Sequence, residues 1–406
     1  MTMMSLAEFL EQHVQTLSTT QSKVFCHVLT DTFHNQSFTE PSPKARAQEY
    51  LRFHHMILVF QERQASLPAS PVKTSSLMKK PSGKKSQSVL VMGMSVFEYC
   101  EWDSPTQILR SYIQYVDTTG LYQPRQDQSH ITKSVVSAYV SYLQNIAKAQ
   151  YIHLLATAKP NYLFAGSEYI STKKELSTER LVGWWLSVIS NAVSNNAVVY
   201  AYAPGEWEDG EDVHRRMFGQ LPVKEGVQYK WGVPFRDGDP IDVAIPLFED
   251  DPKWKHYQKY MDQKKTPSRP YVYAEEESEF SQNNTQESYA PPPPRIVNVR
   301  EFISTLSARP EFALEPEAAL IAVHFPANEV IKPKSSNNLA GLAGKMLKDL
   351  TFEDEDHVNS SSAKIISWLK FMGSKPVVLQ AGSEAPKGKV PKLENKENEP
   401  ISGVRD

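Results

Sequence analysis

Long apolar stretches along this chain alternate with stretches in which apolar residues recur at helical spacing. Five stretches are rich in apolar, β-branched or aromatic residues, which is typical of buried strands. They are Val89–Trp102, Leu109–Val116, Tyr151–Ala156, Ala318–Phe325 and Pro376–Gln380. These five stretches predict the strands of a central β-sheet.

Six other segments repeat apolar residues at the three- and four-residue spacing of an amphipathic helix. They are an N-terminal helix carrying Leu6, Phe9 and Leu10, then Ile131–Ala147, a helix after Ser177, Val299–Ala308, Leu339–Leu350 and Ser360–Met372. Ser177 is a favourable N-cap, and Glu179 in the first turn suits the positive end of the helix dipole. This mixture predicts an α/β fold with a central mixed sheet surrounded by helices and an intimately packed second lobe.

Composition divides the chain into four parts. Residues 1–273 form the first part of the core, and within them the Ser-, Pro- and Lys-rich stretch 66–88 predicts a mobile loop. Residues 274–294 have few aliphatic residues and end in four prolines, which predicts a disordered insertion. Residues 295–382 complete the core, and the polar residues 383–406 predict a disordered tail.

Charge and cysteine content exclude several classes of protein. The net charge of the 406 residues is −3, so we expect neither sequence-specific nucleic-acid binding nor attraction to an anionic membrane. Cys26 and Cys100 are the two cysteines, too few for a disulfide framework or a zinc set. The N-terminus lacks the pattern of a signal peptide, and no apolar run is long enough for a membrane span. We therefore expect a soluble intracellular protein without a metal.

Familiar catalytic motifs are missing from the sequence. The stretch Gly341–Lys345 (GLAGK) is too short for a phosphate-binding loop and lies in a helical pattern. The His54-His55 pair has no partners at metal-ligand spacing. Residue chemistry alone therefore leaves the activity open.

Three segments, in the same order and at matching spacings, resemble one family. They are Tyr112–Tyr122 (YIQYVDTTGLY), the segment from Tyr162-Leu163-Phe164 to Trp184-Trp185, and Ile245–Lys253 (IPLFEDDPK). They are similar to segments of the fungal histone H3 acetyltransferases that modify core-domain lysine fifty-six, the regulator of Ty1 transposition family. Weaker similarity extends over about residues 5 to 380. The resemblance implies the fold of the CREB-binding-protein-type acetyltransferases, with acetyl-CoA as the co-substrate.

The resemblance also implies which residues contact acetyl-CoA. The implied set is Val116, Asp117, Thr118, Arg125, Leu155, Thr157, Ala158, Lys174, Glu175, Leu176 and Trp184. Arg125 would face phosphate, for which a guanidinium is well suited. The alternative for Asp117 and the residues up to Gly120 is a simple polar turn.

The catalytic residues implied by the resemblance are Asp250, Asp251, Tyr162 and Trp185, and Lys253 matches an autoacetylated lysine. The alternative for Asp251 is an N-cap followed by a proline at the first helical position. A tryptophan pair on an amphipathic helix is usually core, although neighbouring residues on a helix point about 100° apart. No cysteine lies in the three segments, so we expect direct transfer of the acetyl group to lysine.

The family acts with histone chaperones of the NAP type and of the anti-silencing type, which present histone H3–H4. We therefore expect a nuclear enzyme, and Lys79, Lys80, Lys84 and Lys85 are a candidate import patch. The acidic residues 206–212 either meet a basic histone or are simply solvated. One alternative function is an inactive scaffold that binds histones or chaperones, and another is an acyltransferase acting on a different protein.

Overall fold

The computed structural model describes most of the predicted core. The described residues are 5–16, 23–36, 49–64, 86–101, 108–122, 128–146, 149–156, 159–173, 175–193, 196–202, 217–219, 221–222, 224–232, 319–325 and 337–381. Among them, no helix is long and apolar enough to cross a membrane.

Eleven strands are found in the described part of the chain, and nine of them form one mixed sheet. They are β1 (Gln15–Thr16), β2 (Val24–Gln36), β3 (Glu49–Gln64), β4 (Ser86–Glu101), β5 (Ile108–Thr118), β6 (Ala149–Ala156), β7 (Val198–Tyr202), β8 (Gln228–Trp231), β9 (Ala319–Phe325), β10 (Val377–Val378) and β11 (Gln380–Ala381). The order across the sheet is β10-β2-β3-β4-β5-β6-β9-β7-β8, while β1 pairs with β11. The pairs β5–β6 and β7–β8 are parallel, and the other neighbours in the sheet are antiparallel.

Five α-helices in the described residues flank this sheet. They are α1 (Leu6–His13), α2 (Gln128–Ile146), α3 (Thr178–Ala192), α4 (Ala340–Lys348) and α5 (Glu355–Phe371). Ser5 and Glu8 form a capping box at α1, and the Ser177 side chain accepts a hydrogen bond from Arg180 N at the start of α3. The start of α4 is capped from a distance, because the Asp31 carboxylate of β2 accepts hydrogen bonds from the amides of Ala340 and Gly341.

The two faces of the sheet carry separate hydrophobic cores. Helices α1, α2 and α3 cover one face, and their apolar side chains pack with those of the central strands. Helices α4 and α5 cover β2, β3 and β4 on the other face, together with the loop of residues 159–173. This arrangement places the 159–173 loop beside the end of β5, where the first resembling segment lies.

The structure confirms the predicted α/β class with its mixed sheet and flanking helices. The strands predicted at 89–102, 109–116, 151–156 and 318–325 correspond to β4, β5, β6 and β9, although Trp102 and Ala318 lie outside the described residues. The helix that follows Ser177 begins at Thr178, as its N-cap predicts.

Three parts of the sequence interpretation were wrong or incomplete. Residues 86–88 belong to β4 rather than to a mobile loop, because Gln87 and Ser88 pair with Arg63 and Glu62 of the long strand β3. The predicted single strand 376–380 is two short strands, β10 and β11. Strands β1, β2, β3, β7 and β8 were not predicted.

The later part of the chain contributes directly to the central sheet. Strand β9 lies between β6 and β7 and pairs with both of them. Residues 1–273 and 295–382 therefore share one sheet where the structure describes them. The predicted helix 299–308, the insertion 274–294, the tail 383–406 and the acidic stretch 206–212 lie outside the described residues.

Candidate active site

Asp117, near the end of β5, is the centre of a dense set of hydrogen bonds. Its Oδ2 atom accepts three of them from backbone amides of the 159–173 loop, at 2.8 Å from Tyr162 N, 2.8 Å from Leu163 N and 3.2 Å from Phe164 N. Its Oδ1 atom accepts one from the following amide, Thr118 N, at 2.8 Å. A carboxylate offers about four acceptor sites, so these donors occupy most of its capacity. The Asp117 side chain therefore binds the loop to the sheet.

A lysine completes this set of contacts. The Lys173 Nζ atom lies 2.7 Å from Asp117 Oδ1 and 2.6 Å from Ser167 Oγ. Asp117 is buried and Lys173 is largely covered, with 3% of the Asp117 side chain and 11% of the Lys173 side chain exposed. Hydrogen bonds between ionised groups are the strong ones in proteins, so the pair fixes both ends of the loop to one carboxylate.

Two glycines permit the close approach of the loop to the sheet. Gly93 of β4 is paired with Asp117, and a Cβ atom there would lie 2.9 Å from Phe164 Cζ and 3.1 Å from Leu163 Cδ1. Gly120 has φ of +79°, a conformation that side chains disfavour, and its carbonyl accepts a 2.6 Å hydrogen bond from Thr172 Oγ1. The loop therefore packs directly on the backbone at Gly93 and Gly120, where a larger residue would collide with it.

The opposite side of the loop contacts the connection between α4 and α5. The Phe164 and Phe352 rings lie 5.0 Å apart between centroids, and Phe352 N donates a 2.8 Å hydrogen bond to Ala165 O. Gly166 takes φ of +85°, next to Glu353. The loop is therefore held between the sheet and the C-terminal helices.

The two tryptophans of α3 have different environments. Trp185 is only 6% exposed and belongs to the core between α3 and the sheet, whereas Trp184 is half-buried at the margin of that core. Their ring centroids are 4.9 Å apart with an angle of 83° between the planes. Helix α3 also contacts β6 and β9, so it lies over the strands that follow β5 in the sheet.

The structure places about half of the residues implied by the family resemblance. Val116, Asp117 and Thr118 lie at the end of β5, Leu155 lies in β6, Tyr162 lies in the 159–173 loop, Glu175 and Leu176 precede α3, and Trp184 and Trp185 lie in α3. Asp117 and Tyr162 are brought into direct contact, and the Tyr115 and Tyr162 rings lie 6.3 Å apart. Asp250, Asp251, Lys253, Arg125, Thr157, Ala158 and Lys174 lie outside the described residues.

Some of the described side chains have the chemistry expected of a site for acetyl-CoA. Val116, Leu176 and Trp184 are half-buried apolar residues. Such side chains suit the apolar part of a pantetheine arm, because small-molecule sites are mostly lined by apolar groups. Glu175, which precedes Leu176 in the sequence, is exposed. The contact of these side chains with acetyl-CoA stays a prediction, and Arg125, the predicted partner of its phosphate, lies outside the described residues.

The two cysteines are unsuited to nucleophilic catalysis. Both are buried, Cys26 in β2 and Cys100 in β4. Burial, with a smaller contribution from Glu11, raises the pKa of the Cys26 thiol to about 12. A thiol must be ionised to act as a nucleophile, so Cys26 is inert at neutral pH. No group of three or more metal-binding side chains is found within the described ranges.

Several residues that build the site were not predicted from the sequence. The glycine at position 93 offered a signal, because a glycine inside a strand often marks the close approach of another segment. Lys173 and Ser167 offered none, because Lys173 follows Asp117 by 56 residues and its contacts with Asp117 and Ser167 depend on the folded path of the loop. The contact of Asp117 with acetyl-CoA itself stays a prediction.

Comparison with known proteins identifies the family to which this chain belongs. The sequence model of the histone acetyltransferase KAT11-type domain matches residues 143–370, which is more than half of the chain. The crystal structure of Rtt109 from Aspergillus fumigatus is similar, with a TM-score of 0.64 and 16% sequence identity, covering 94% of this chain and 100% of that chain. At that identity the likeness concerns the fold. No curated protein sequence matches the chain.

Proposed function

Because this chain belongs to the histone acetyltransferase KAT11-type family and is a histone lysine acetyltransferase, we propose that it acetylates histone H3 at core-domain lysine fifty-six. Tail lysines of H3 are a further proposed target. The single observation that carries the proposal is the contact between two of the three resembling segments. Asp117 of the first segment accepts three backbone hydrogen bonds from Tyr162, Leu163 and Phe164 of the second.

Acetyl-CoA supplies the activated acetyl group as a thioester, and the protein must prepare the accepting lysine. A lysine with a pKa near 10.4 must lose a proton before it attacks, which costs about 4 to 5 kcal/mol at pH 7. An aspartate with a pKa near 3.9 is a weak base for that proton. We therefore assign Asp251, with Asp250 beside it, to orienting the ammonium group and stabilising developing positive charge, while water removes the proton.

The remaining predicted residues shape the channel. Trp185 lines the path of the lysine, and Tyr162 joins Asp251 at the reacting end. Acetylation of Lys253 removes a positive charge that competes with the substrate ammonium. The burial of Cys26 and Cys100 supports direct transfer to lysine rather than an acyl-enzyme.

Substrate presentation is proposed to depend on histone chaperones. We place the enzyme in the nucleus, in DNA replication-coupled nucleosome assembly, genome stability, the response to DNA damage and transcription regulation. Chaperones of the NAP type and of the anti-silencing type are the proposed partners, because the family acts with chaperones that present H3–H4. Lys79, Lys80, Lys84 and Lys85 are the candidate import signal.

Mass spectrometry of histones after reaction tests this proposal. The full chain is incubated with acetyl-CoA and H3–H4, with each chaperone type and without chaperone, and acetylation is measured at each lysine. We expect acetylation of the core-domain lysine to increase when a chaperone is present. An Asp251→Asn enzyme serves as the control for non-enzymatic transfer.

Two outcomes would replace the proposal with an alternative. Binding of acetyl-CoA and histones without any transfer would indicate a scaffold. Transfer to a chaperone or another protein, but not to histone, would indicate a protein acyltransferase of different specificity. The same reaction mixtures distinguish the two.

A further inference from the structure

We propose that Lys173 is a positioning residue of the acetyl-CoA site. Its ammonium group, held between Asp117 and Ser167, fixes the 159–173 loop to the end of β5 and thereby sets the affinity for acetyl-CoA. The proposal rests on the proposed function for the location of the acetyl-CoA site. It adds a residue that was not among those implied by the family resemblance.

The first argument is electrostatic. The Asp117 carboxylate is 3% exposed and accepts hydrogen bonds from three loop amides and from Thr118 N. These donors are neutral, so they do not cancel the charge of a buried carboxylate. The Lys173 ammonium, 2.7 Å away, supplies the opposite charge. Removal of one partner of a buried ion pair leaves the other uncompensated, which strongly destabilises the local structure.

The second argument concerns the chain path. Lys173 directly precedes residues 174–176, which are predicted to cover the co-substrate, and Ser177 then caps α3. Asp117 is the middle residue of the 116–118 segment, which is predicted to contact the same molecule. The ion pair therefore joins two segments that would contact acetyl-CoA from different parts of the chain.

The third argument concerns the way the loop is supported. Phe164 packs on Phe352, and Thr172 donates a hydrogen bond to Gly120 O. These contacts hold parts of the loop even when the ion pair is lost. Loss of the Lys173 charge should therefore loosen the loop without unfolding the protein, so that only a fraction of molecules can bind acetyl-CoA.

A population of loosened molecules has a defined kinetic signature. If acetyl-CoA binds only the ordered loop, its apparent Kd equals the intrinsic Kd divided by the fraction of molecules with an ordered loop. Saturating acetyl-CoA then restores the ordered state, so turnover recovers. The effect should consequently be found in KM and Kd for acetyl-CoA, with kcat nearly unchanged.

The test compares Lys173→Met with Lys173→Arg in the full chain. Methionine keeps the length of the side chain but removes the charge, whereas arginine keeps the charge. We expect Lys173→Met to raise Kd and KM for acetyl-CoA roughly tenfold, a typical size for a conformational coupling, and Lys173→Arg to restore most of the affinity. Lys364→Met, at an exposed position on α5, is the control for loss of a lysine charge elsewhere.

Amide hydrogen exchange gives an independent measurement in the absence of acetyl-CoA. The amides of Leu163 and Phe164 donate to Asp117, so we expect faster exchange there in Lys173→Met than in the wild type, with protection in β3 and β4 retained. Faster exchange with unchanged Kd would overturn the proposal, because the ion pair would then be purely structural. Unchanged exchange and unchanged Kd would overturn it as well.

The outcomes also separate this inference from the proposed function. Calorimetric titration measures the Kd for acetyl-CoA without a histone. The role of Lys173 can therefore be tested even if no histone is acetylated. Should Lys173→Met fail to fold, Lys173→Gln, which also removes the charge, carries the same comparison. Wild-type affinity in folded Lys173→Gln would remove Lys173 from the site.

Discussion

The Tyr139 hydroxyl on α2 donates a 2.7 Å hydrogen bond to Glu98 Oε1 on β4, where the Glu98 side chain is fully buried. Ser111 Oγ lies 2.7 Å from the same hydroxyl, and His55 Nε2 lies 3.4 Å from Glu98 Oε2. Burial and the nearby Glu98 carboxylate raise the pKa of Tyr139 well above its usual value. A polar cluster inside the core thus ties α2 to three strands of the sheet.

This contact predicts the stability of a tyrosine variant. Tyr139→Phe leaves a buried carboxylate without its donor, so we expect the free energy of unfolding to fall by about 1–3 kcal/mol. Tyr142→Phe on the same helix is the matched control, because the described part of the chain shows no hydrogen bond to the Tyr142 hydroxyl. Urea denaturation measures both. Equal losses in the two variants would contradict the importance of the Glu98 contact.

A substitution at Gly93 should disturb the candidate site from the sheet side. The added Cβ atom of Gly93→Ala would meet Phe164 Cζ at 2.9 Å, so the Phe164 ring or the loop that carries it must shift. We expect weaker acetyl-CoA binding together with a stability loss of about 1–3 kcal/mol, typical of overpacking. Calorimetric titration with acetyl-CoA checks the first effect. Gly183→Ala is the control, because a Cβ atom there meets nothing within 4 Å.

The buried histidine of β2 predicts a loss of stability in acid. Burial lowers the pKa of His27 to about 4, from about 6.5 in the unfolded chain. Between these two values the unfolded chain binds a proton that the folded chain excludes, so the free energy of unfolding falls as the pH decreases from 6.5 to 4. His27→Asn, which can keep an acceptor near Ser374 Oγ, should reduce this pH dependence.

Urea denaturation at pH 7, 6 and 5 measures the difference between His27→Asn and the wild type. Burial also lowers the pKa of His324 to about 4, with a contribution from Arg110, so part of the slope should persist in the variant. An identical slope in the variant and the wild type would show that His27 is not responsible.

The two tryptophans of α3 should separate into different phenotypes. Trp184 is half-buried and predicted to pack on the co-substrate, so Trp184→Phe should raise KM for acetyl-CoA and leave stability nearly unchanged. Trp185 is in the core, so Trp185→Phe should lower stability by about 1–3 kcal/mol and also lower kcat, if it lines the lysine channel. Steady-state kinetics and thermal unfolding measure both. Normal kinetics with reduced stability for Trp185→Phe would assign it to packing alone.

The aspartate of the third resembling segment should act on turnover rather than binding. Asp251→Asn preserves the size of the side chain and the ability to cap a helix, and removes only the negative charge. We expect kcat to fall roughly a hundredfold or more, with acetyl-CoA affinity nearly unchanged. Lys253→Arg should lower activity mainly through the KM for histone. A fully active Asp251→Asn enzyme would favour the helix-cap interpretation.

Elements with strong periodicity were predictable from the sequence, whereas much of the N-terminal sheet was not. The run from Val89 onward is almost continuously apolar, which identifies a strand buried on both faces. Strand β2 instead contains His27, Thr30 and Asp31, each of which is buried only because a distant partner satisfies it. Such partners cannot be identified before the fold is known, so the polar residues of β2 prevented its prediction as a strand.

The candidate site shows the same division. Asp117 and Tyr162 could be singled out through a family resemblance, but neither spacing nor composition indicated that the carboxylate of one binds the backbone of the other. Backbone amides carry no sequence signature, because every residue except proline has one. The Lys173 contact depends in addition on the path of the whole loop between these segments.

The position of β9 has a consequence for synthesis of the protein. The ribosome makes β6 and β7 long before β9, which is inserted between them in the finished sheet. Until residue 325 has emerged, both strands have an edge without its neighbour, and such edges are templates for aggregation. A chain terminated ahead of β9 would therefore retain every resembling segment and still be prone to aggregate. Soluble expression should require the strand that contributes no predicted catalytic residue.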